Sequence, residues 1–272
     1  MKNILTCAVI LVAALCLTSG VYAQNVVESY GDAGSIDWSA QVVRATGIAI
    51  TGGVGGRPGQ IRAAEMDALR QILATVKGMR LNSETTMENF MLSSDVVRTQ
   101  VEGVVRNFRR VGDPVYMSNG DIEVTVEMAL QGPGKIFDIA IPQPIGIPPT
   151  PISGTPSSTE VYSGLIVDAR GLGVRPAIAP NIYSESGDEI FGSRYIDREW
   201  AIKHGMVSYA KDPAKARADE RISPNPMFIK AMKASGPNRT DIIVSNQNAL
   251  TLNKVTENLK FLQECRVILI VD

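Results

Sequence analysis

The sequence predicts an α+β protein of two domains. The first is a β-α-α-β-β unit with its helices on a small antiparallel sheet, and the second is an α/β unit with a mixed sheet. Three observations predict this. Apolar residues in the first half recur at steps of two in some segments and of three and four in others, the second half carries short continuous apolar runs, and a proline-rich stretch divides them.

In the first half, Val42 to Ile50 reads as a strand, and Gly52 to Gly59 as a glycine-rich loop. Ile61, Ala64, Ala68, Ile72, Val76 and Met79 then form one helical stripe, while Arg62, Asp67, Arg70 and Lys77 lie off it. Ser93, Ser94 and Asp95 are cap candidates for a second helix carrying Val97, Val101 and Val104. From Ile122 to Leu130 apolar and polar residues alternate, the pattern of a half-buried strand. Asn119 and Gly120 tolerate the positive φ of a tight hairpin, which makes Phe108 to Met117 its antiparallel partner.

Prolines 142, 144, 148, 149, 151 and 156 make residues 136–159 an extended connector, because each proline fixes φ and removes a backbone donor. Beyond it, Gly164 to Val167 and Val267 to Val271 read as strands covered on both faces. Ile182-Tyr183 and Glu189 to Phe191 flank a turn and predict a hairpin. Asp241 to Ser245 reads as a strand and Asn246 to Leu262 as a helix, which with the last strand suggests a right-handed crossover. The expected organisation is a signal peptide over 1–23, a domain over 24–135, the connector and an α/β domain over 160–272.

The signal peptide rests on Lys2, the uncharged apolar run from Ile4 to Leu17, and Val21 and Ala23 at the positions a signal peptidase reads. Cleavage after Ala23 leaves Gln24 first and predicts a periplasmic protein. No lipid-attachment signal accompanies it, since Leu15 precedes Cys16 and Cys7 lies too early. Removal of residues 1–23 takes one lysine and no acid, so the mature net charge is −2, which argues against a nucleic-acid partner. Cys265 remains as a single thiol that cannot close an internal bridge.

Thr46 to Ala49, the glycine-rich loop, Ala63 to Arg70 and the closing Val76, Lys77, Gly78 and Met79 together resemble the LPP-twenty bacterial lipoprotein family. They also resemble the related amino-terminal domain of flagellar assembly protein T. The resemblance covers roughly residues 40–131 and implies a non-catalytic envelope module with no catalytic residues to carry over. It lacks the lipid-attachment cysteine and does not extend into the second half.

No catalytic or cofactor set stands out. The loop before the first helix offers Gly59-Gln60-Ile61 where a phosphate loop needs Gly-Lys and a hydroxyl, and its glycines do not keep dinucleotide spacing. His204 is the only histidine and reads as a helix-end residue; Cys265 reads as a small buried residue before a core strand. The sharpest site hypothesis is a speculative cation site at Asp168 and Asp272, each of which ends an apolar run. Adjacent parallel strands would bring both to the carboxyl edge where α/β sheets bind ligands, while Arg170 offers Asp168 a competing partner. The expectation is therefore an exported, non-enzymatic envelope protein without a cofactor. It would bind envelope proteins or itself, as an accessory of flagellar or outer-membrane assembly or in peripheral association with the outer membrane. Two alternatives stand beside it: a periplasmic ligand binder or enzyme with its site near Asp168 and Asp272, and a homo-oligomeric structural protein.

Overall fold

A computed structural model describes residues 25–32, 34–52, 55–143, 160–254 and 256–272. The first half builds one antiparallel sheet from β1 (Val27–Tyr30), β2 (Gly34–Asp37), β3 (Val42–Ala49), β4 (Arg109–Arg110), β5 (Val115–Tyr116) and β6 (Ile122–Ala129). Its order is β1-β2-β3-β6-β4, with β5 also on β6. Alternation holds along β3 and β6: Val43, Ala45, Ala49, Ile122, Val124, Val126 and Met128 are buried on one face.

That face is covered by α1 (Gly56–Gly78), whose buried side is Ala64, Ala68, Ile72, Thr75 and Val76. The close approach is written in small residues. A Cβ on Gly47 would collide with the backbone of Ala64 and Ala68, so strand glycine and helix alanines together set the distance between the layers. The helix begins earlier than the sequence pattern predicts, taking in Arg57, Pro58 and Gly59 of the expected loop. Proline is tolerated there because first-turn N–H groups have no intrahelical acceptor.

Two short helices follow, α2 (Met87–Leu92) and α3 (Asp95–Val105), capped by the hydroxyls of Thr86 and Ser94. The expected partner strand over 108–117 is broken into β4 and β5, both antiparallel to β6; Gly112, at φ 72°, and Pro114 lie between them. The hairpin turn is as expected, with Gly120 at φ 86°. Neither β1 nor β2 has a sequence pattern long enough to announce it.

The expected connector needs correction at its start. Ile136–Ala140 form α4, and Ile136, Phe137, Ala140 and Ile141 are buried. Their apolarity outweighs the proline content downstream. Residues 144–159 lie outside the described residues.

Among the described residues the second half has two four-stranded sheets. One is parallel and contains β7 (Gly164–Asp168), β10 (Ser208–Ala210), β11 (Pro226–Lys230) and β14 (Val267–Ile270), in the order β10-β14-β7-β11. The other is mixed and contains β8 (Ile182–Ser184), β9 (Glu189–Phe191), β12 (Lys233–Ser235) and β13 (Asp241–Val244), in the order β12-β13-β8-β9. The predicted hairpin is β8–β9. The predicted crossover is not realised within one sheet, because β13 and β14 belong to different sheets. Helices α7 (Asn246–Lys254) and α8 (Thr256–Gln263) occupy its helical span. Two helices without a clear sequence signature, α5 (Arg198–His204) and α6 (Pro213–Arg217), flank β10.

The halves keep separate sheets but share one apolar core, which runs from Ile36 and Trp38 to Leu165, Val167 and Tyr209. Trp38 meets Tyr209 edge-on at 5.8 Å, and the Tyr209 hydroxyl donates to the Ala177 carbonyl while accepting from its N–H, both at 2.9 Å. Nearby, buried Arg80 pairs with Glu28 and donates from Nε to the Pro176 carbonyl at 2.8 Å. Glu28 also accepts from Tyr30 and Trp38 and pairs with Arg175 at 3.4 Å. A buried cation is tolerated only when paired and hydrogen-bonded, and this one ties the two halves together.

Candidate functional site

Where the halves meet beside α5 and β10, a cleft of about 450 Å³ opens. Ser39, Gln41 and Gln131 line it from the first half, and Trp200, His204, Ser208, Asp219, Glu220, Arg221, Glu264 and Arg266 from the second. A second cavity of about 270 Å³ adjoins it, sharing Ser39, Ala40, Ser208 and Asp219, so the two form one groove along β10.

Arg221 holds this wall. Its Nε donates to the Cys265 carbonyl at 2.6 Å. Nη1 donates to the His204 carbonyl at 2.7 Å and to Ser208 Oγ at 2.9 Å, and Nη2 donates to the carbonyls of Gly205 at 2.6 Å and Met206 at 3.1 Å. All five guanidinium N–H groups are thereby engaged. The His204, Gly205 and Met206 carbonyls lie at and beyond the end of α5, and that of Cys265 beyond the end of α8; unsatisfied acceptors and the negative ends of helix dipoles favour a cation there. Burial lowers the Arg221 pKa to about 10. Gly205, at φ 76°, caps α5, and any Cβ there would lie 2.5 Å from Gln41 Nε2. With that space free, Gln41 donates to the His204 carbonyl at 2.8 Å, and Ser39 Oγ donates to the Tyr209 carbonyl at 2.7 Å.

Other lining groups are not engaged in this way. Among the described residues the side chains of Gln131 and Glu220 have no intrachain hydrogen-bond partner, and Asp219 accepts only from the Arg221 backbone N–H, at 2.9 Å. The Trp200 ring is 38% exposed and lies 5.0 Å from the His204 ring. Partial burial, then the charges of Arg221 and Lys203, lower the His204 pKa, so its imidazole is neutral at neutral pH. Glu264 pairs with Arg266 at 2.9 Å.

The sequence-predicted residues fall in two places. His204 ends α5 as expected and lines the groove. Cys265 is buried ahead of β14, and burial pushes its thiol up to about 12, which disfavours the thiolate; Arg221 binds the backbone carbonyls of both residues rather than joining their side chains.

Asp168 and Asp272 do reach one edge, because β7 and β14 are adjacent and parallel with Asp168 opposite Ile270. Arg170 binds both Asp168 oxygens, at 2.8 and 2.7 Å, and holds this carboxyl below its usual range against the opposing effect of burial. The Asp272 side chain accepts from the Gly171 N–H at 2.9 Å. Among the described residues no three His, Cys, Asp or Glu side chains gather in a metal-binding arrangement.

Sequence reasoning missed the groove. Its residues come from six separated segments, and the one local signal was Trp200, four residues before the only histidine and one turn away from it on α5.

The chain has no match among curated proteins. Residues 164–272, from the start of β7 to the last residue, match the family model described as Treponema pallidum Tp0624, second domain.

Proposed function

We propose that this is an exported, non-enzymatic binding component of the cell envelope, and that the groove along β10 is where it binds. The observation that carries this reading is the contrast within the groove. One set of polar groups is spent on fixing its wall, while Gln131, Glu220, Asp219, Trp200 and His204 face it without a full set of partners. The burial of the Cys265 thiol, which disfavours its thiolate, supports a binding role over a covalent one.

Export rests on the expected signal peptide, whose residues lie outside the described ones. Among the described residues no helix is long and apolar enough to cross a membrane. The envelope assignment rests on that signal and on the LPP-twenty resemblance of residues 40–131. The second half is similar to the second domain of another protein, which supports reading it as a unit of its own. An assembly accessory is one form of this role, with envelope proteins as partners. The alternative site at Asp168 and Asp272 has less support, because Arg170 already occupies the first carboxylate.

Capture from solubilised envelopes by the immobilised mature protein tests the reading. Capture should be lost in the double variant Gln131→Ala, Trp200→Ala and kept in Asp168→Asn. The opposite pattern would move the site to the carboxyl edge of the parallel sheet.

A further inference from the structure

Charge decides which ligand chemistry the groove accepts. A cation finds two exposed carboxylates, Asp219 and Glu220, but they line the same cavities as the positive charges of Arg221 and Lys215. An anion finds few free cationic donors. All five Arg221 N–H groups are engaged, Arg266 is paired with Glu264, Lys215 in the second cavity donates to Asn25 Oδ1 at 3.1 Å, and Asp219 and Glu220 present carboxylates on the same lining. What remains is suited to a neutral ligand rich in hydroxyls. Carboxylates accept, the Gln131 amide both donates and accepts, a neutral imidazole does the same, and the exposed indole offers an apolar face with one N–H.

We infer that the groove binds a neutral oligosaccharide. Its hydroxyls donate to Glu220 and Asp219 and bond with Gln131, and a carbon-bound hydrogen face lies on Trp200. The two adjoining cavities of about 450 and 270 Å³ admit a chain of about two or three sugar units. This rests on the groove being the binding site and adds the class of ligand.

The test is titration of the mature protein with chitotriose, cellotriose and maltotriose, followed by tryptophan fluorescence and by ligand-observed NMR. Trp38 is 2% exposed, so an accessible ligand reports through Trp200. At least one trisaccharide should saturate below about 10 mM, and its affinity should be unchanged between about 0.05 and about 0.5 M NaCl, since no ion pair is made. By NMR, Gln131→Ala and Glu220→Gln should each weaken it roughly tenfold with the urea midpoint unchanged.

Failure of all three sugars to saturate by about 20 mM would overturn the ligand class. So would salt-sensitive binding of spermidine or citrate that depends on the same residues. If the sugars fail while groove-dependent capture from envelopes persists, the class falls and the site stands. If capture also fails, the site falls with it.

Discussion

The groove along β10 and the carboxyl edge of the parallel sheet are both polar, and both carry residues that a sequence reading would place at a site. They differ in what their charges do. At the sheet edge buried Asp168 is bound through both oxygens by Arg170, two residues on, and exposed Asp272 accepts from the Gly171 N–H of the same turn. At the groove the equivalent spending falls on Arg221, and it leaves side chains on the facing walls free. A buried polar group must be satisfied, and the buried Asp168 carboxylate is satisfied by Arg170. Under the proposed reading the carboxyl edge serves the fold and the junction between the halves binds.

The largest effect should come from Arg221→Ala. Carbonyls of Gly205 and Met206 would lose the side-chain donor, and those of His204 and Cys265 would keep only Gln41 and the Val267 N–H, costing about 3 kcal/mol or more in urea unfolding. A loss below about 1 kcal/mol would mean the wall is held by something else.

Asp168→Asn should cost less, about 1 kcal/mol at neutral pH, because Arg170 is 44% exposed and its pairing is screened by solvent. The pH dependence has a definite sign. The folded carboxyl is held below its unfolded value, so its contribution is complete above about pH 4 and is lost as pH falls through the lower folded value. Native protein should therefore lose stability on acidification in that window, and the variant should lose less. Equal acid sensitivity in both would break the assignment of Asp168 as a structural ion pair.

Gln131→Ala should have the smallest effect on stability, within about 0.5 kcal/mol, since no intrachain hydrogen bond is removed. Cys265 provides a matching control on reactivity. Buried and held up to about 12, its thiol should resist alkylation at pH 8 in the native state and react on unfolding. Rapid native alkylation would reopen the question of a nucleophile beside the groove.

Much of the fold was legible because its elements carry their own periodicity. Residues 122–130 alternate, residues 61–79 keep a helical stripe, and the apolar runs at 164–167 and 267–271 are paired strands. What was not legible depends on contacts between distant segments. Ile136 to Ala140 look like the start of a proline-rich connector until Phe137 is seen to lie in the core. Gly205 reads as an ordinary helix stop, but its missing Cβ also admits Gln41 from the other half, 164 residues earlier. The candidate site was hidden for the same reason. Asp168 and Asp272 stood out as charges ending strands, whereas Gln131 and Glu220 become notable only once the fold leaves them facing one cavity without partners.

The central claim is that binding takes place in the groove and that the sheet edge serves the fold. Site-specific photo-crosslinking in intact cells addresses it most directly, with the reactive side chain placed in turn at Gln131 in the groove and at Lys230, opposite Asp168 at the sheet edge. Adducts from position 131 that disappear in the Trp200→Ala background, with none from position 230, are the predicted result. Adducts from position 230 and none from position 131 would contradict the account.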